Sequence, residues 1–217
     1  MVVPMSSLQH ALLLDGAGRP TQRHLAQQSH DWDEIAALNN HIYMPFRVRP
    51  TTKATPRSFA YTFQIGGFGL SRFRYGCGVM LDDFAPEAGR GIVLTTLQGC
   101  LRHHNEVDTS GEESFLVDTS RAGKYMIEGH ADHLQLNLTF HHDLLADLYE
   151  RWHGLPADDA MWQLKFKFGG PGSSWHTLLE YCVRCIAEMP EQIAHATEQC
   201  VNIDRAGRQF LRARERQ

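Results

Sequence analysis

The chain has 217 residues, 42% hydrophobic and 21% charged, with a formal net charge of -4 at pH 7. This is the composition of a globular protein with one well-buried core and room for appendages, and it excludes disordered and fibrous classes. The acidic balance gives no overall attraction for nucleic acid, so any such contact is local or made by residues elsewhere.

Residues 1–28, centred on "DGAGRPTQ", lack sustained periodicity and carry turn formers, and read as an irregular arm. The apolar run near the amino end is broken by Asp15 and has no basic flank, so it is neither a signal peptide nor a membrane span. "SHDWDEIAALNNHIY" then offers Ser29 or Asp31 as an N-cap and sets Trp32, Ile35, Ala36 and Leu38 on one face, which predicts a short helix ending before Pro45. Between Phe59 and Phe140, short runs rich in aromatic and β-branched residues alternate with Gly, Pro, Asp and Ser clusters. About seven or eight antiparallel strands in a barrel or sandwich are expected from that spacing. Alternation is clearest in "HLQLNLTF", where Leu134, Leu136 and Leu138 face one way and Gln135, Asn137 and Thr139 the other.

After Phe140 the period becomes helical. Leu144, Leu145, Leu148, Tyr149 and Trp152 form a stripe that closes at Gly154. A brief strand-like alternation in "WQLKFKFGG" precedes a second helix, capped by Ser173 or Ser174, with Trp175, Leu178, Leu179, Cys182, Ile186 and Met189 on its stripe. From 191 to 217, Ile193, Ala196, Cys200, Ile203, Gly207 and Phe210 make a weak heptad seam leading into a basic end with Arg205, Arg208, Arg212, Arg214 and Arg216.

Several chemistries are weighed against this frame. "GGFGLSRFRYGCGVMLDD" has glycines Gly66, Gly67, Gly69, Gly76 and Gly78, but no third glycine in G-x-G-x-x-G spacing and no helix after it. It therefore reads as a bent strand rather than a phosphate turn. Its period puts Arg72 and Arg74 on one face, in solvent, and Phe73 and Tyr75 on the other. His103, His104, Glu106, His130 and His133 are ligand types for a divalent metal. Neighbours on a strand point to opposite faces, so solvated histidines and acids at strand ends are the simpler reading. Cys182 and Cys185 lie mid-helix, where reduced cysteines pack as small hydrophobes, and the odd count of five cysteines fits reduced thiols in the cytoplasm. No nucleophile elbow is present.

The order of features resembles the amino-terminal effector-binding domain of AraC/XylS-type bacterial transcription regulators, especially the branch that senses aromatic acids. The resemblance is carried by Leu70, Ser71, Arg72, Tyr75 and Gly76, by Leu97, Gln98 and Gly99, and by Leu144 and Leu145, and it spans about residues 30–190. It implies a cupin-like antiparallel β-barrel followed by an amphipathic helix pair, mostly β with C-terminal helices, binding an effector without performing a reaction and needing no cofactor or metal. It further implies an arm over the ligand, helices that dimerise, and a DNA-binding part with two helix-turn-helix motifs following the basic segment. The acidic stretch 105–129 lacks the family's proline–glycine turns, so no pocket is carried over there.

The resulting expectation divides the chain into an arm (1–28), a helix plus effector-binding barrel (29–140), dimerisation helices (141–190) and a linker helix (191–217) towards a DNA-binding domain not in this sequence. Arg47, Arg49, Tyr75, Thr95, Leu97 and His103 are the pocket candidates, for a small aromatic or carboxylate effector. Trp175, Leu178, Leu179, Cys182 and Ile186 are the candidates for a homodimer interface. A metal-dependent cupin enzyme using the histidines around 103–133 is the alternative from another class.

Overall fold

A computed structural model describes residues 7–21, 27–65, 67–103, 107–118, 125–158 and 167–193. The strands are β1 (Gln27–Ser29), β2 (Arg47–Pro50), β3 (Ser58–Ile65), β4 (Phe68–Arg74), β5 (Val79–Asp82) and β6 (Arg90–Gln98). They continue with β7 (Leu101–His103), β8 (Asp108–Thr109), β9 (Glu113–Asp118), β10 (Ile127–Gly129), β11 (Leu134–His141) and β12 (Lys167–Gly169). The helices are α1 (Trp32–Ile42), α2 (His142–His153) and α3 (Ser174–Glu188).

The strands form two antiparallel sheets, ordered β1-β3-β4-β11-β6-β9-β12 and β2-β5-β10-β7-β8. This is the mostly β sandwich with helices after the sheet that the strand pattern predicts, and the cupin-like architecture that the resemblance implies. Local chemistry sets the boundaries. Asp31 caps α1 by accepting from the Asp33 and Glu34 amides, and Ser173 caps α3 by accepting from His176 N–H. Gly154 ends α2 in the left-handed conformation at φ 68°, which costs glycine nothing. At Gly76, the bend after β4, φ is +73° and a Cβ would sit 2.7 Å from the Arg57 carbonyl, so only glycine turns the chain there.

The larger sheet is covered on both faces. Between the sheets lies a core that includes Phe73, Tyr75, Val79, Leu94, Phe115 and Val117, joined by Ile35 and Ile42 of α1. On the outer face, Leu70, Leu97, Leu134 and Leu136 pack under Leu8, Ala11 and Leu12 of the arm and Leu179, Val183 and Ile186 of α3. Strand β6 is therefore buried along its length from Gly91 to Leu97. In β11 the polar residues Gln135 and Asn137 are the ones turned between the sheets, while the leucines face the arm and α3.

Double coverage changes several expectations. Arg72 is on the outer face as the period predicts but is 6% exposed rather than solvated, since the arm and α3 cover that face of the sheet; burial lowers its pKa to about 10. Arg74 is exposed and lies over the Phe59 ring. Arg47 and Arg49 belong to a strand of their own, β2, at the edge of the smaller sheet. The α3 stripe splits: Leu179 and Ile186 are interior, whereas Leu178, Cys182 and Met189 are exposed and Trp175 is half-buried. The cysteine pair thus lies towards the surface rather than in the core. The heptad positions and arginines beyond Ile193 lie outside the described residues.

Candidate functional site

Between the sheets is a small cavity of about 20 Å³, room for about one water molecule. Four aromatic side chains line it, Tyr43, Phe46, Tyr75 and Phe84, together with aliphatic residues including Ile92, Leu94 and Val117 and the two amides Gln135 and Asn137. Each arrives by a simple device. Tyr43 is the C-cap of α1, Tyr75 is the last inward residue before the Gly76 bend, and Gln135 and Asn137 share one face of β11 by its period of two. No Lys, Arg, Asp or Glu lines this space.

The polar groups are incompletely paired. Asn137 Nδ2 donates to Tyr43 Oη at 2.8 Å, and that hydroxyl is 2.7 Å from Ser71 Oγ. Asn39 Nδ2 donates to Tyr75 Oη at 3.0 Å. The other end of each amide, Asn137 Oδ1 and Asn39 Oδ1, is buried without a partner, and so is His133 Nε2. Burial raises the Tyr43 phenol to about 12 and the Tyr75 phenol well above its ordinary value, so both stay neutral. The cavity wall is aromatic and aliphatic, uncharged, and carries the two amides.

Of the predicted pocket residues, Tyr75 lines the cavity. Thr95 and Leu97 point to the opposite face of β6: Thr95 Oγ1 is 2.8 Å from Ser114 Oγ, which also accepts from Trp175 Nε1, and Leu97 joins the outer core. Arg47 and Arg49 are about half exposed and engaged with acids: Arg47 lies 2.9 Å from Asp82 and 2.7 Å from Asp83, and Arg49 pairs with Asp82. The Arg47 guanidinium in turn holds the Asp82 carboxyl below its ordinary pKa. His103 is inside the sandwich, stacked on Phe115 at 3.9 Å, but both ring nitrogens are engaged, Nδ1 with Tyr125 Oη at 2.8 Å and Nε2 with Thr109 Oγ1 at 3.1 Å.

The histidines are not all at solvated strand ends. His103 and His133 are buried, and burial lowers the pKa of both, that of His103 to about 4. His133 Nδ1 donates to the His130 carbonyl at 2.5 Å. His104 and Glu106 lie outside the described residues. Among the described residues, no three His, Cys, Asp or Glu side chains converge as metal ligands would.

Sequence reading missed Tyr43, Asn39, Gln135 and Asn137. The available signal was the spacing of Gln135 and Asn137 among leucines, which marks two faces without saying which is interior.

A two-sheet antiparallel sandwich followed by helices defines a cupin-like fold. Among solved structures, the AraC-like transcriptional activator CuxR shares this fold at a TM-score of 0.58 and 11% identity, over 83% of this chain and 66% of its own. The chain thus spans just under two thirds of that regulator, and the shared fold agrees with the resemblance carried by the motifs. Oxalate decarboxylase from B. subtilis aligns over 58% of this chain and 43% of its own, at 11% identity and a TM-score of 0.28, too partial a superposition to argue from. No known family profile and no curated protein sequence matches the chain. No helix among the described residues is long and apolar enough to cross a membrane.

Proposed function

We propose that the chain is the effector-binding part of an AraC-type transcription regulator. It takes a small aromatic or carboxylate effector at the barrel, whose walls part to admit it, and passes the event to a DNA-binding part. The observation that carries this reading is the polar face of β11, which is turned into an aromatic cavity with one amide oxygen unpaired.

The same strand supplies a route outward. Gln135 and Asn137 face the cavity, while Leu134 and Leu136, one residue away, touch the core shared with the arm and α3. An effector that binds more tightly to one setting of β11 shifts the arm and α3 by that difference in affinity. The exposed face of α3, with Leu178, Tyr181, Cys182 and Met189, is the surface for pairing two copies.

Thermal denaturation of the purified chain against a panel of single-ring compounds tests this. A saturable rise in Tm that disappears in Val117→Leu, which fills the cavity, is the expected result. Stoichiometric iron, manganese or zinc in the purified protein, lost on His103→Ala, would instead mark a metal-dependent cupin enzyme.

A further inference from the structure

The outer face of the larger sheet carries a cation that the fold leaves unanswered. Arg72 of β4 is 6% exposed, and its Nε and Nη1 are enclosed without a hydrogen-bond partner. Among the described residues, the ionisable groups that bear on it are the Tyr61 phenol and Arg74, and no carboxylate does. The acids of the arm and α3, which cover this face, are engaged elsewhere: Asp15 holds Arg19, Glu112 holds Gln9 and His176, Glu180 faces His176, and Glu188 holds Arg184. A buried guanidinium without a counter-charge is destabilising, and packing alone would be served as well by an apolar side chain of similar volume.

Its surroundings describe what would answer it. Register sets Tyr61 and Leu136 on either side of Arg72, and one step along the same face it sets Phe63 and Leu138 on either side of Leu70. Phe59, Tyr61, Phe63 and Leu138 are only partly buried where they pack against the outer core, so an apolar row reaches the surface beside the guanidinium. Arg74, next on that face of β4, is exposed and puts a second positive charge over the Phe59 ring. Apolar side chains beside two guanidinium groups complement an anion carried on an apolar body. The long arginine stem lets its head turn towards the surface, so the anion needs no preformed cavity.

We propose that the outer face of the larger sheet binds a small amphiphilic carboxylate at Arg72. The carboxylate accepts hydrogen bonds from the Arg72 guanidinium and from Tyr61 Oη, and the apolar body lies along Tyr61, Phe63 and Leu138. Arg72 sets the specificity: its planar fork matches two carboxylate oxygens, whereas a neutral amide or an amine leaves the buried charge unanswered. The site is on the opposite face of the sheet from the space between the sheets, and it does not depend on the effector-binding reading.

Calorimetric titration of the full chain with phenylacetate, phenylacetamide, phenethylamine and acetate tests the site, because the first three share a body and the last has none. Phenylacetate is expected to bind at least about tenfold more tightly than the other three, a difference near 1.4 kcal/mol. Arg72→Met, which keeps an unbranched apolar stem, is expected to lose about tenfold or more in phenylacetate affinity while unfolding at the same urea concentration as the parent or a higher one. Tyr61→Phe, which removes one donor, is expected to lose about threefold or more. Val117→Leu, between the sheets, is expected to leave phenylacetate binding unchanged. The proposal is overturned if the amide binds as tightly as the carboxylate, if none of the four binds, or if Arg72→Met and Tyr61→Phe leave phenylacetate binding unchanged. A marked loss of stability in Arg72→Met assigns the guanidinium to the fold and overturns it as well. Phenylacetate binding abolished by Val117→Leu moves the ligand between the sheets, which rejects this site and keeps the effector-binding reading.

Discussion

Gln135 is an expensive residue for its position. It is 4% exposed among aromatic and aliphatic walls, where leucine would pack without desolvating an amide. If it is retained for a ligand, Gln135→Leu should leave the free protein as stable as the parent or stabilise it by about 1 kcal/mol, as urea denaturation would measure. A loss of stability larger than that would assign the amide to the fold instead. His103 shows the opposite case, a polar residue fully used by the fold. Its pKa falls from 6.5 to about 4 because burial penalises the imidazolium, with Asp108 partly opposing the shift. The unfolded chain therefore takes up the proton first as pH drops. Above 6.5 the group contributes no pH dependence; between 6.5 and about 4 it removes about 1.4 kcal/mol of stability per pH unit, and below that the loss levels off. His103→Gln should flatten that part of the stability–pH curve. An unchanged slope in the variant would show that other groups, His133 among them, dominate it.

At the level of elements, much was legible in the sequence. Asp31, Ser173 and Gly154 end their helices where the capping chemistry puts them. The alternation of β4 and β11 is real as well. What the pattern could not carry was sidedness. Polarity alternation reports inside and outside only when one face meets water, and here the arm and α3 bury the second face, so the leucines of β11 face outward and the amides inward. Arg47 and Arg49 escaped for another reason: their pairing with Asp82 follows from β2 lying beside β5, a contact of about thirty residues' separation that no local pattern encodes. Helix α3 likewise carries two apolar faces that one sequence stripe blends together. Leu179→Ala should cost about 2–5 kcal/mol in denaturation experiments, since its side chain is interior. Leu178→Ala together with Tyr181→Ala, 53% and 65% exposed in the parent, should leave stability within about 1 kcal/mol and weaken self-association in sedimentation equilibrium. A double variant that self-associates like the parent would remove this face from the proposed interface.

Across the whole molecule, the proposed function makes the arm's position the route by which a signal would leave the barrel. None of residues 7–21 lines the cavity; they sit on the other side of the larger sheet, beneath α3. A single residue ties these three parts together. Glu112, at φ +66°, donates its N–H to the Thr96 carbonyl of β6 at 2.7 Å and accepts from Gly170 N–H, ahead of α3, at 3.2 Å. Its buried carboxylate accepts from Gln9 Nε2 of the arm at 3.0 Å and lies 2.5 Å from His176 Nε2 of α3. Left-handed backbone at a residue with a side chain costs of order 1 kcal/mol, so the surrounding contacts must hold it there. Glu112→Gln keeps the shape but replaces one carboxyl oxygen, an acceptor, with an N–H₂ donor, so one of the bonds to Gln9 and His176 is lost, at about 0.5–1.5 kcal/mol. Amide exchange at Ala11 and Leu13, whose N–H groups bond within the arm, should then quicken by up to roughly tenfold while β11 keeps its protection. If the arm and β11 quicken together, Glu112 supports the fold as a whole; if neither does, the arm is held by its leucines alone.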